Sequence, residues 1–216
     1  MLYLHQDTEP AERFMRPPLI VKRTPLEKQL QGAACEKASP LSVFSEASRL
    51  FARGRRVDMV QLAEKLGVSR ATLYRWVGSR EALLMEVVWA GVQPIIQTAE
   101  ASSSAKGGAY VAEILASFIT QVVNNDAMNA FLDREGEAAM RLLTLADGGF
   151  QKRIVAWVQQ LVESRVQSGE YVLTLPASEL AYAVVRLGES YIYKRFITGQ
   201  SPDLQSVEPL FKLLLR

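Results

Sequence analysis

The residues whose types and spacing best suit a chemical task lie together in VDMVQLAEKLGVSRATLYRWVGSREALL, residues 57 to 84. Arg70 and Arg75 each carry a planar fork of donors that fits the O6 and N7 acceptors of guanine, and the methyl of Ala71 suits the methyl of thymine. Hydroxyls on Thr72 and Tyr74 suit phosphate oxygens, and Arg80 brings a charge to the free N–H groups of the helix it opens. Such a set holds a polyanion and reads base edges without making or breaking covalent bonds.

Residues for bond-making chemistry are scarce. The only histidine is His5 and the only cysteine is Cys35. Zinc, haem and di-iron ligand sets therefore cannot be assembled from the body of the chain, and dyads or triads that need His or Cys fall with them. A single cysteine also forms no internal disulfide, which fits a reducing cytoplasm. Asp133, Glu135 and Glu137 are the one hint of carboxylate chemistry, but alternate spacing scatters them around a helix instead of pairing an acid with a base. No enzyme, no catalytic residue, no metal and no cofactor are expected.

Helices must position the groove-reading set. Asp58 with Gln61 has the form of a capping box, so a helix starts there, with Val60, Ala63 and Leu66 as its expected buried stripe. Gly67 stops it by taking positive φ, Ser69 caps a second short helix running to about Val77, and Leu73 with Val68 turns inward to hold it. Two short helices joined by a tight glycine turn make a helix-turn-helix. Ahead of them Leu41, Phe44, Ala47, Ser48 and Phe51 form one apolar face ending at Gly54. Behind them the spacing predicts helices over 78–103, kinked at Pro94, and over 108–125, 127–146, 149–169, 176–198 and 203–215, nine in all from Pro40 onward. The best strand candidate, EYVLTL at 170–175, has no partner. Residues 1–40 hold five of the nine prolines and read as an extended or disordered arm with at most a short helix over 26–36. Lys22 and Arg23 in that arm are candidate backbone contacts.

Composition sets outer bounds. The chain has 216 residues, 49% hydrophobic and 22% charged, the balance of a globular protein. No run approaches 18 apolar residues and Met1 to Pro10 lacks a basic region followed by an apolar one, so neither a membrane span nor a secretory signal is expected and the cytoplasm is the predicted location. The net charge of +2 hides an asymmetry. Through Arg80 there are 14 Lys and Arg against 8 Asp and Glu, and beyond it 11 against 15. A basic front suits a polyanion, although a solvated basic face accounts for the charge equally well.

At this point the stretch LAEKLGVSRATLYRWVGSREALL resembles the DNA-binding segment of the TetR family of bacterial transcriptional regulators: a helix, then G-V-S-x-x-T-L-Y, a basic residue, an aromatic one, and S-K/R-E-x-L-L. The likeness covers about Phe44 to Val88; Trp76 stands where Tyr or His is usual and Val77 where Phe is common. Trp76 either donates its indole N–H to phosphate or simply packs. The resemblance implies an all-α fold, with a three-helix DNA-binding domain at 41–88 and a helical domain at 89–216 that dimerises and encloses a small-molecule pocket. It implies a homodimer on a palindromic double-stranded operator, most often a repressor released by its effector. The implied DNA-contacting set is Ser69, Arg70, Ala71, Thr72, Tyr74, Arg75, Trp76 and Arg80. A competing reading is an architectural DNA-binding protein with no effector, which would bind DNA with little sequence preference.

Within the last 50 residues, VVRLGESYIYKRFITGQSPDLQSVEPLFKLLL resembles the C-terminal domain of the branch that regulates degradation of quorum-sensing acyl-homoserine lactones, which suggests a lactone or acyl chain as effector. Trp89, Phe118, Val122, Phe131 and Trp157 are candidate pocket walls, with Asn125, Tyr182, Arg186 and Tyr193 as polar anchors. Apolar residues at helical spacing also serve as plain core. Tyr182, Arg186, Glu189 and Tyr193 share a stripe that either faces a cavity or places an ordinary Arg186–Glu189 pair at a subunit interface. Leu180, Val184, Leu187 and Tyr191, with Gly188 allowing close approach, and the apolar surplus of Leu210, Phe211, Leu213, Leu214 and Leu215 are the expected dimer surfaces.

Overall fold

Side-chain caps punctuate the first half of the fold. In the computed structural model, which describes residues 38–145 and 149–216, Ser39 and Ser42 form a reciprocal capping box that opens α1 (Pro40–Ala52), with a proline in its first turn. Asp58 accepts from the amides of Val60 and Gln61 to open α2 (Met59–Leu66). Gly67 closes α2 at φ 66°, a conformation that costs a side-chain-bearing residue more. Ser69 opens α3 (Arg70–Val77) and Ser79 opens α4 (Arg80–Ala101) by accepting from Thr72 and Ala82. The arm expected over residues 1–40, with Lys22 and Arg23, falls almost entirely outside the described residues.

The buried faces of α1 and α2 differ from the expected ones by rotation about the helix axis. α1 buries Val43, Ala47 and Phe51, while Leu41, at the first turn, is 75% exposed. α2 buries Met59, Leu62 and Ala63, and Val60 is turned outward. The cap at Asp58 makes Met59 the first helical residue, so the inward stripe begins there, and Val60 lies about 100° around the cylinder from it.

Helix α4 runs unbroken through the boundary expected at Val88 and Trp89 and keeps Pro94 inside it. By length and composition it could cross a membrane, but Leu83, Leu84, Val87, Val88, Val92, Ile96 and Ala99 on it are buried in the protein core. There follow α5 (Gly107–Val123), α6 (Asp126–Thr144), α7 (Phe150–Gln167), α8 (Ala177–Ile192), α9 (Lys194–Thr198), a 3-10 turn (Leu204–Ser206) and α10 (Val207–Leu214). The helix expected over 176–198 is divided at Tyr193, whose φ −95° and ψ 2° leave the helical region. Helix α6 is bent at Gly136, with φ 39° and ψ −107°. No strand forms among the described residues, and Val172 in the best strand candidate is exposed.

Helix α7 packs along α8, α10 lies on α5 and touches α8, and α1 lies on α4. Two expectations about the dimer surfaces change. Phe211 and Leu215 belong to this chain's own core, which leaves Leu213 and Leu214 as the exposed members of that apolar surplus. Gly188 also faces inward, where a Cβ would come within 3.1 Å of the Ile119 side chain, and Val184 is buried beside it.

Candidate nucleic-acid interface and internal cavity

The short helix α3 has one anchored side and one free side. Leu73 is fully buried and Thr72 and Trp76 are half-buried, while Arg70, Ala71, Tyr74 and Arg75 are exposed. These four positions share a face, the geometry a groove-reading helix needs. Ser69 accepts from the Thr72 amide and donates to the Thr72 hydroxyl at 3.0 Å, so both side chains fix the N-terminus of α3. Trp76 packs against the core. Sequence reasoning missed Arg53, Arg55 and Arg56 in the loop between α1 and α2, which are exposed and, like Arg70 and Arg75, have no ion pair among the described residues. The dense RGRR run was the signal that could have found them.

Arg80, expected to contact phosphate, is engaged inside the chain. Its Nε donates to the Val57 carbonyl at 2.7 Å and its Nη2 to Glu135 Oε1 at 2.5 Å. The side chain is 19% exposed and that of Glu135 9%. The guanidinium is held internally, tying the start of α2 and the start of α4 to α6. Asp133 pairs with Arg195 of α9. Two of the three clustered carboxylates are therefore bound to arginines as structural ties.

A cavity of about 50 Å³ is bounded by α4, α5, α6, α7, α8 and Tyr193. Of the nine expected lining residues it includes Phe118, Val122, Trp157 and Tyr193. Phe118 and Trp157 have ring centroids 5.0 Å apart, and the Trp157 indole N–H is donated to Glu100 at 2.8 Å.

The other five stand elsewhere. Trp89 packs edge-on to Phe150 with Arg153 over its ring. Phe131 packs edge-on to Phe51. Asn125 caps α6 through the Met128 amide and lines a neighbouring groove of about 420 Å³. Tyr182 is 55% exposed. Arg186 is half-exposed and reaches Glu189 Oε2 at 2.6 Å. The stripe of four thus divides within α8, with Tyr182 and Arg186 outside and Glu189 and Tyr193 inside. Cavity and groove share Val92, Val122 and Met128 as their common wall.

Glu189 is the polar group of the cavity wall that sequence reasoning left out of the site. It is 8% exposed and accepts from Gln151 Nε2 at 2.5 Å. Burial pushes its carboxyl above the usual range, against the smaller opposing effects of Arg186 and the Gln151 hydrogen bond. The Tyr193 hydroxyl is likewise pushed up, first by burial and then by the Glu189 charge, and stays neutral. An i,i+3 spacing from Arg186 signalled the pair; nothing local signalled that its acid would be buried.

Residues 106–216 match the family model described as tetracyclin repressor-like, C-terminal domain. A solved structure, that of the R. erythropolis transcriptional repressor QsdR from the TetR family, is similar with a TM-score of 0.74 and 26% identity, covering 82% of this chain and 93% of that one. No curated protein matches in sequence. A helix-turn-helix ahead of a C-terminal domain of this type places the function in binding rather than catalysis, and the chain belongs to the TetR family of transcriptional regulators.

Proposed function

We propose that the chain is a dimeric, cytoplasmic repressor that reads a pseudo-palindromic operator through α3 and is released when a small, mainly apolar effector occupies the internal cavity. The observation that carries the DNA-reading half is the exposed set Arg70, Ala71, Tyr74 and Arg75 on a helix pinned by Leu73. Arg70 and Arg75 then address guanine edges, and Arg55 and Arg56 supply phosphate contacts in place of Arg80. The likeness to the QsdR repressor, together with the resemblance of residues 184–215 to the lactone-degradation branch, supports repression and an acyl compound as effector.

Selection of bound sequences from a random DNA pool tests this reading. A two-fold site is expected; recovery of sequence-tolerant binding would favour the effector-independent architectural alternative. Arg70→Ala should cost about 1 to 3 kcal/mol and relax preference at one base position per half-site. Unchanged affinity and base preference in that variant would remove Arg70 from the reading set.

A further inference from the structure

A carboxylate in an apolar cavity needs hydrogen-bond partners, and this one lacks part of its set. Glu189 is 8% and Gln151 9% exposed. Gln151 donates an amide N–H to Glu189 Oε1, yet its own Oε1 and Glu189 Oε2 are both buried without a hydrogen-bond partner among the described residues. Arg186 approaches Glu189 Oε2 closely, but without hydrogen-bond geometry, and its side chain remains 45% exposed outside the cavity. Two buried acceptors at this end thus stand without a hydrogen-bond partner among the described residues, where each unsatisfied buried group is costly. The rest of the wall is apolar or aromatic, with Phe118, Trp157, Val184 and Ile192 facing the space.

We propose that the cavity selects a molecule with an apolar body and a nitrogen head that donates N–H hydrogen bonds, received by Glu189. The proposal rests on the reading of this cavity as the effector site and narrows the effector's chemistry. A protonated amine or an amide N–H supplies the missing donor, and the aromatic walls also suit an adjacent cation or alkyl chain. A carboxylate head would instead meet Glu189 as a like charge, so a free fatty acid is the wrong class. The small cavity volume places the head here and sends a longer tail past Val92, Val122 and Met128 toward the groove beyond them.

The test titrates the full chain at neutral pH, following tryptophan fluorescence, with hexylamine, N-hexylacetamide, hexyltrimethylammonium and hexanoate. Hexylamine and N-hexylacetamide should bind, with hexanoate and the trimethylammonium probe each about tenfold weaker or worse because neither donates an N–H. Glu189→Gln should weaken hexylamine about tenfold and leave N-hexylacetamide little changed, since a neutral acceptor remains; Glu189→Leu should weaken both. Should Glu189→Leu fail to fold, the contrast between the two probes on the isosteric Glu189→Gln variant decides alone. Hexanoate binding as tightly as the N–H donors, no probe binding, or unchanged hexylamine affinity in Glu189→Gln would each overturn the proposal. Release from operator DNA is read separately: N–H probes that bind without releasing DNA sink the effector-controlled repressor and leave the head-group assignment intact.

Discussion

In the first three helices Glu46 is the most heavily engaged carboxylate. It lies 2.5 Å from Arg49 Nη2 and 2.6 Å from Lys65 Nζ, so it joins α1 to α2. The Arg49 hydrogen bond leads the effects that hold its carboxyl down at about 2, from an ordinary value of 4.5. A lowered value means the stabilisation is present above the ordinary value and is lost as pH falls from there through about 2. Glu46→Gln should therefore melt below the wild type at pH 7, and the gap should narrow as both are titrated toward pH 3. A constant gap across that range would show that the ion pairs contribute nothing. Residues of this local kind were largely legible in the sequence: Ser69 and Ser79 cap helices because their partners lie three residues away. Arg80 was not legible in the same way, since the acid that captures it is 55 residues distant.

At the scale of elements, helix α6 matters through its break. Gly136 sits at φ 39° and ψ −107°, which few side-chain-bearing residues adopt, between a segment bearing Asp133 and Glu135 and a second helical segment. The bend lies beside the two acids that receive Arg195 and Arg80. Gly136→Ala should cost about 1 to 3 kcal/mol in thermal or denaturant unfolding, because the backbone must strain or straighten. An unchanged melting temperature would mean the bend is incidental. Caps, glycine stops and the 3.6-residue period made the helices readable in advance. The breaks at Gly136 and Tyr193 were not readable, because each lies within a continuous helix-forming pattern and is set by what the neighbouring helices demand of the chain there.

For the whole molecule, the assignment of apolar surface decides which faces remain for a second copy. Phe211, Leu215 and Gly188 are used within the chain. Exposed Tyr182 on α8 and Leu213 and Leu214 on α10 are the large apolar side chains left exposed on that pair of helices. Leu213→Glu combined with Leu214→Glu should yield monomers in sedimentation at micromolar concentration and weaken operator binding, without the core damage that a Gly188 substitution would bring. A double variant that still sediments as a dimer would place the two-fold contact elsewhere. Amino-acid sequence alone conveys how apolar the last helix is, but its split between inside and outside depends on α5 and α8 lying against it.

Continuity of α4, with Arg80 held between the Val57 carbonyl and Glu135, has a consequence for interchangeability. A regulator assembled by grafting a foreign DNA-reading head onto this C-terminal body has no natural seam at Val88. The transplant must bring a basic side chain at position 80 to meet Glu135, or Glu135, 9% exposed beside Arg80, is left without its cation and the head loses its fixed bearing on the body. Chimeras that keep an arginine at that position should repress and respond to effector, whereas matched chimeras carrying methionine there should bind the grafted head's operator yet lose the response. Operator affinity measured with and without effector in the two chimeras tells them apart, and an equal response in both would make Arg80 a fastener with no part in signalling.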